Sequence, residues 1–178
     1  MNFSCQGEGL SCQHRISHLF NFFLICMIIP SEQYDQILKT MPIPCVDLLV
    51  IDNERKILLI KRRNEPAKGQ WWFPGGRVYY KETRRNAAIR KLKEECGLVA
   101  IEIQELGTFD VMLEYPLNSS IVHAITTLFC MKISSHKRFQ LDDQSMAFDW
   151  KSLREWEKIT LPAFVRQCFM YFSSESKV

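Results

Sequence analysis

The residues best suited to chemistry lie between positions 75 and 98. Gly75 and Gly76 open the segment, Glu82 follows, and Arg90, Lys91, Glu94 and Glu95 come close together ahead of Gly97 and Leu98. Glycines let a loop turn tightly and let a ligand approach the backbone. Residues three and four apart are neighbours on a helix, so Lys91, Glu94 and Glu95 would share one face. Adjacent glutamates just before a helix-ending glycine repel each other unless a cation lies near. Hard oxygen ligands of this kind suit Mg²⁺ or Mn²⁺, which keeps waters and shares phosphate oxygens. Glu82 stands eight residues before Arg90. An ion pair between them would hold the loop against the metal face.

The elements that must position these residues follow from hydrophobic period and turn residues. Ser31 is placed to cap a short helix to about residue 39, with Glu32 in its first turn, and Pro42 and Pro44 follow it. Residues 46–51 and 56–61 are apolar runs of strand length around a turn at 52–55, and read as a hairpin. Pro66, Gly69, Pro74, Gly75 and Gly76 mark loops around a short stretch at 71–73. A helix is expected from about 81 to 96, with Ala87, Ala88, Leu92 and Cys96 on its buried face and Gly97 at its end. Strands are expected at 101–111, 123–133 and 147–150, and helical segments at 152–157 and 161–172. Mixed strands and helices around one sheet give an α+β fold, an α/β/α sandwich.

The chain has 178 residues, 47% hydrophobic and 24% charged, which fits one ordinary globular domain. A net charge of +3 argues for no nucleic-acid partner. The basic residues are uneven, however: Lys61, Arg62, Arg63, Arg77, Arg84, Arg85, Arg90, Lys91 and Lys93 crowd one third of the chain. That excess suits an anionic ligand, with a solvated basic face as the alternative for about half of them. The seven cysteines are odd in number and form no C-x-x-C pair, so they read as reduced thiols in a cytoplasmic protein. The apolar run at 19–29 is too short to span a bilayer. Residues 1–26 are therefore set aside as an extension outside the fold, with membrane tethering as the alternative, and 27–178 are taken as the domain.

The segment at 76–98 resembles the Nudix box, G-x5-E-x7-R-E-U-x-E-E-x-G-U, where U is a bulky aliphatic residue. Gly76, Glu82, Arg90, Leu92, Glu94, Glu95, Gly97 and Leu98 fit, and Lys91 stands where the box has glutamate. Within that superfamily the chain is most similar to GDP-mannose mannosyl hydrolases, which also lack a box glutamate. Asp47, the run from Leu58 to Arg62 and the run from Asn64 to Val78 carry that similarity.

The resemblance implies a Nudix fold, a mixed sheet between helices, and a homodimer that binds no membrane. It implies a Mg²⁺-dependent hydrolase of nucleoside diphosphate-linked substrates that releases a nucleoside diphosphate and a sugar. The Gly75 carbonyl, Glu95 and Gln144 would hold the ion, one ion rather than a cluster. Arg62 and Arg77 would hold the diphosphate, and Asp47 would lie near the nucleotide or sugar. Arg62, Arg77, Arg90 and Glu94 take the catalytic positions. Two further departures bear on the reaction. Ser145 stands where the family's base, a histidine, follows Gln144, and Ala124 stands near a family tyrosine. His123, Asp142 and Asp143 are candidate replacements for the base, although a strand histidine satisfied by a neighbour is the commoner case. A pyrophosphohydrolase cutting P–O–P and a catalytically weakened binding module remain as alternatives.

Several residues carry two readings. Trp71, Trp72 and Phe73 could stack a base or fill the core. Tyr79 and Tyr80 could rim a pocket or face water. Trp150 and Trp156 read as packing residues. Lys91 reads as a solvated helix lysine, with a phosphate contact as the alternative.

Overall fold

The computed structural model describes residues 29–115, 121–135, 139–140 and 145–175. Gln144, Asp142, Asp143, the extension at 1–26 and the capping side chain of Ser31 lie outside the described residues. The chain divides into two units, Met1–Asp35 and Gln36–Val178. The division falls within the first described helix, α1, Ser31–Thr40.

The second unit is built on one sheet. Its strands are β1 Ile43–Ile51, β2 Ile57–Arg62, β3 Trp71–Trp72, β4 Gly75–Arg77, β5 Glu102–Glu114, β6 Ile121–Lys132 and β7 Ser145–Lys151. The order is β3-β2-β1-β6-β5, with β4 also pairing β1 and β7 also pairing β2. β1 and β6 run parallel from Ile43↔Ala124 to Ile51↔Lys132. The other pairs are antiparallel, so the sheet is mixed, as expected. The helices that follow α1 among the described residues are α2 Arg84–Cys96, α3 Leu153–Trp156 and α4 Ala163–Glu175.

Helices cover both faces of the sheet. Val46, Leu48 and Val50 of β1 pack with Ala87, Ala88, Leu92 and Cys96 of α2. Leu49 and Ile51 of the same strand pack with Trp156, Phe164, Val165 and Phe169 from the α3–α4 end of the chain. A central strand buried on both faces reads as a continuous apolar run, which is how β1 was recognisable. The sandwich expectation is met.

Four local expectations need correction. The segment at 75–77, read as loop, is strand β4, with Cys45↔Arg77 and Asp47↔Gly75 in register. Backbone pairing fixes it there; its glycines carry no strand preference. Helix α2 begins at Arg84, not at 81, because Lys81 has φ 62 and lies outside the helical region. Thr83 is the cap, its Oγ1 accepting from Asn86 N–H at 3.2 Å. Strand β1 starts at Ile43 and takes in Pro44, whose carbonyl accepts from Val78 N–H at 2.9 Å. Finally, β1 and β2 meet around the predicted turn in a single register pair, Ile51↔Ile57, and then part, β1 toward β6 and β2 toward β7.

Candidate active site

A cavity of about 200 Å³ opens at one end of the parallel pair β1 and β6. Asp47, Arg62, Arg77, Gly75, Gly76 and Glu95 line it, together with Trp72, Thr126 and Ser145. The chain folds this way because β1 delivers Asp47, β2 ends at Arg62, β4 lays Gly75 against β1, and α2 delivers Glu95 from the other side.

Asp47 is buried, and both its oxygens accept hydrogen bonds. Trp72 Nε1–H donates to Oδ1 at 3.2 Å, and Thr126 Oγ1–H donates to Oδ2 at 2.7 Å. Burial pushes its pKa up to about 6, against the pull of those two donors. Cys45, two residues earlier, has its thiol pushed up to about 12 by burial and then by Asp47, so it stays neutral in the cavity wall.

Gly75 is fixed by crowding. A Cβ there would lie 2.3 Å from Val46 O and 3.0 Å from Asp47 Oδ1. Its N–H donates to Glu95 Oε2 at 3.0 Å. Glu95 Oε1 faces Lys91 Nζ at 2.5 Å, and Glu94 Oε2 lies 3.6 Å from the same ammonium. Lys91 is not the solvated lysine expected: its side chain is 11% exposed. Burial works against its charge, yet Glu95 and Glu94 outweigh burial and hold its pKa above the usual lysine value.

The box residues Glu82 and Arg90 do meet. Arg90 Nε and one terminal nitrogen donate to the two Glu82 oxygens, each at 2.8 Å. The same terminal nitrogen reaches Arg77 O at 3.0 Å, the other reaches Glu94 Oε2 at 3.0 Å, and the guanidinium lies 3.8 Å from the centre of the Tyr79 ring. Glu82 also accepts from Tyr79 N–H at 3.0 Å, and these donors, Arg90 first, lower its pKa. Arg90 is therefore a brace: it ties the 77–82 loop to α2 and fixes the backbone of Arg77. Glu94, on the exposed side of the helix, belongs to this brace.

The arginines of the basic third divide by task. Arg62 and Arg77 line the cavity; Arg62 Nε donates to Pro66 O at 2.9 Å, and its guanidinium lies 5.8 Å from the Trp72 ring. Arg84 pairs with Glu105 at 3.4 Å, and Arg85 donates to Ile103 O at 3.2 Å. Those two tie α2 to β5.

The remaining candidates separate clearly. His123 Nε2 is 3.2 Å from Asp110 Oδ1 and does not line the cavity, the neighbour-satisfied case. Ser145 does line it, and its buried Oγ has no hydrogen-bond partner among the described residues. Trp72 and Phe73 are core residues; Trp71 meets Trp156 at a tilt of 60°, with ring centres 5.2 Å apart. Trp156 is fully buried, as expected of a packing residue. Tyr80 is 89% exposed, whereas Tyr79 lies under Arg90. Thr126 was not singled out from sequence, although a threonine pair inside the apolar run of β6 is a signal of buried polar work.

A divalent ion fits this site in a limited way. Gly75 and Glu95 meet through the Gly75 N–H, which Glu95 Oε2 accepts. Among the described residues, no three Asp, Glu, His or Cys side chains converge on one point. Lys91 already offsets the charge of Glu95, the buried carboxylate of the box.

Comparison with known proteins agrees with the geometry. The NUDIX domain family profile matches residues 41–169. The low-salt glycan biosynthesis protein Agl8 of Haloferax volcanii is 42% identical over 82 residues, covering 46% of this chain and 52% of that protein. The ADP-ribose pyrophosphatase of Methanocaldococcus jannaschii is 35% identical over 106 residues, 58% and 60% of the two chains. This chain thus spans little more than half the length of these relatives. Among solved structures, a MutT protein from Methanosarcina mazei superposes with a TM-score of 0.66 at 24% identity, over 78% of this chain and 99% of that one. The NUDIX domain of Shewanella oneidensis NrtR, complexed with ADP ribose, superposes with a TM-score of 0.62 at 19% identity, over 79% and 97%. These two likenesses speak for the fold. With the family profile spanning the sheet, the box helix and the first part of α4, the chain belongs to the Nudix hydrolase family.

Proposed function

We propose that this protein is a Mg²⁺-dependent hydrolase of nucleoside diphosphate-linked substrates. It would act on a nucleotide sugar in the manner of a GDP-mannose mannosyl hydrolase, releasing a nucleoside diphosphate and free sugar. The observation that carries this reading is one cavity lined by Arg62, Arg77, Asp47 and the buried Glu95. Two guanidinium forks suit the oxygens of a diphosphate. Glu95, the Gly75 carbonyl and Gln144 would hold one Mg²⁺, with Mn²⁺ as a substitute. When bound, the ion would offset charge on the departing diphosphate. Arg90 and Glu82 would keep Arg77 in place, and Glu94 would steady Arg90. Asp47 would accept a hydroxyl of the sugar or nucleoside. Attack at carbon asks less of a metal at the nucleophile than attack at phosphorus, which suits a face where Lys91 already supplies positive charge.

A second reading, cleavage of the P–O–P bond, is favoured by Ser145. That hydroxyl lines the cavity where carbon-attacking relatives carry a histidine base, and serine needs a partner to take a proton at neutral pH. The proposal includes a homodimer, which sedimentation velocity tests. The free thiols Cys45, Cys96, Cys130 and Cys168 support a reducing, cytoplasmic setting.

The test is product analysis of the purified protein with Mg²⁺ and GDP-mannose, the nucleotides separated by ion exchange. GDP and mannose are the expected products. GMP and mannose phosphate would install the second reading, and no turnover of either GDP-mannose or ADP-ribose would overturn both. Glu95→Gln is expected to lower turnover by about 100-fold; unchanged turnover would remove Glu95 from the metal face.

A further inference from the structure

Lys91 is buried and paired within the site. Its stem crosses Gly76, where an added Cβ would lie 2.8 Å from Lys91 Cε and 3.3 Å from Nζ. Its ammonium sits 2.5 Å from Glu95 Oε1, while Gly75 N–H occupies Glu95 Oε2 at 3.0 Å. Both oxygens of the one buried box glutamate are therefore engaged within the protein. The positive charge that an ion would bring to Glu95 is already there, tethered through α2.

We propose that Lys91 is a built-in competitor of the divalent ion: its ammonium occupies Glu95 in the free protein, and an ion gains that carboxylate only by pushing the ammonium aside or binding against its charge. The inference rests on the reading that Glu95 belongs to an ion site. A carboxylate oxygen can hold an ion and accept from an ammonium at once, but the two like charges then repel at close range, so every ion bound weakens the Lys91–Glu95 pair. Mg²⁺ gives up its waters reluctantly and gains little from a carboxylate already neutralised. The free protein then takes up ions weakly. Gly76, against which the lysine stem packs, lines the cavity, so a displaced ammonium would have an alternative anionic partner once a diphosphate is present. Ion and diphosphate would thus favour each other's binding through one lysine.

The experiment is titration of the full chain with Mn²⁺ alone, free aqueous Mn²⁺ being counted by electron paramagnetic resonance. Lys91→Met removes the competitor, Lys91→Gln leaves an uncharged N–H donor for Glu95, and Lys91→Glu replaces the competitor with a ligand. Thermal melts establish that each is folded. Lys91→Met and Lys91→Gln are expected to bind Mn²⁺ about tenfold more tightly than the unmodified protein, and Lys91→Glu more tightly still. Equal or weaker binding by the folded variants would overturn the competitor role while leaving the ion site standing. No binding by any of the four proteins would overturn both. Should the variants fail to fold, side-chain ¹⁵N resonances of the unmodified protein decide the matter. The slowly exchanging ammonium signal of a buried lysine must shift as Mg²⁺ is added; an unmoved signal at saturating Mg²⁺ would refute the displacement.

Discussion

Asp47 shows what burial does to a single carboxyl. Its pKa of about 6 lies above the 3.8 of an unfolded chain, opposite to the usual lowered aspartate. Between those values the native state holds a proton that the unfolded chain has lost. Stability therefore falls as pH rises from about 4 to about 6 and is level above, a loss of about 3 kcal/mol at most. Urea titrations without divalent metal should reveal that slope, and Asp47→Asn should flatten it; an unchanged slope would assign the proton to another group. Asp47 itself was reached through the family resemblance, whereas the Glu82–Arg90 pair was legible through its spacing. The burial of Lys91 was not. Helix position alone makes a lysine beside glutamates look solvated, and what buries it is the missing side chain of Gly76, which only the tertiary fold brings near.

At the scale of elements, β4 is the piece that sequence concealed. Three residues, two of them glycine, carry no strand signal, yet they pair with the strand that bears Asp47. The close approach explains the glycine. Gly75→Ala would drive a methyl into Val46 O, a backbone atom that cannot turn aside. The expected cost is about 2 kcal/mol, with β4 lifted from β1 and Glu95 losing its N–H donor. Chemical denaturation measures the cost, and a full-stability variant would show that β4 can shift freely. Helix α2 was legible in kind and at its end, where Gly97 has φ 64. Its start was hidden because Lys81 adopts a left-handed turn that its residue type does not announce.

Across the whole molecule, two apolar layers hold the sheet between α2 and α4, and the layer beneath the cavity depends on Trp156. That residue is fully buried, donates from Nε1 to Ile57 O at 2.9 Å and packs against Trp71. Trp156→Ala is expected to cost about 3 to 5 kcal/mol, read as a lowered urea midpoint. A loss below about 1 kcal/mol would mean that the surrounding side chains close the gap. The sandwich could be anticipated because strand and helix periods alternate along the chain. The parallel pairing of β1 with β6 could not, since those strands are far apart in sequence and their register depends on everything folded between them.

The bond from Trp72 to Asp47 also gives the cavity an optical signal. Excitation of an indole moves electron density away from its pyrrole nitrogen, the atom that here donates to the carboxylate at 3.2 Å. A negative charge at that point lowers the energy of the excited state and shifts emission to the red, and protonation removes the shift. Subtracting the spectrum of Trp72→Phe isolates this one emitter from Trp71, Trp150 and Trp156. Ionisation of the cavity floor, and the arrival of a bound molecule above it, then become visible as colour in the unlabelled protein.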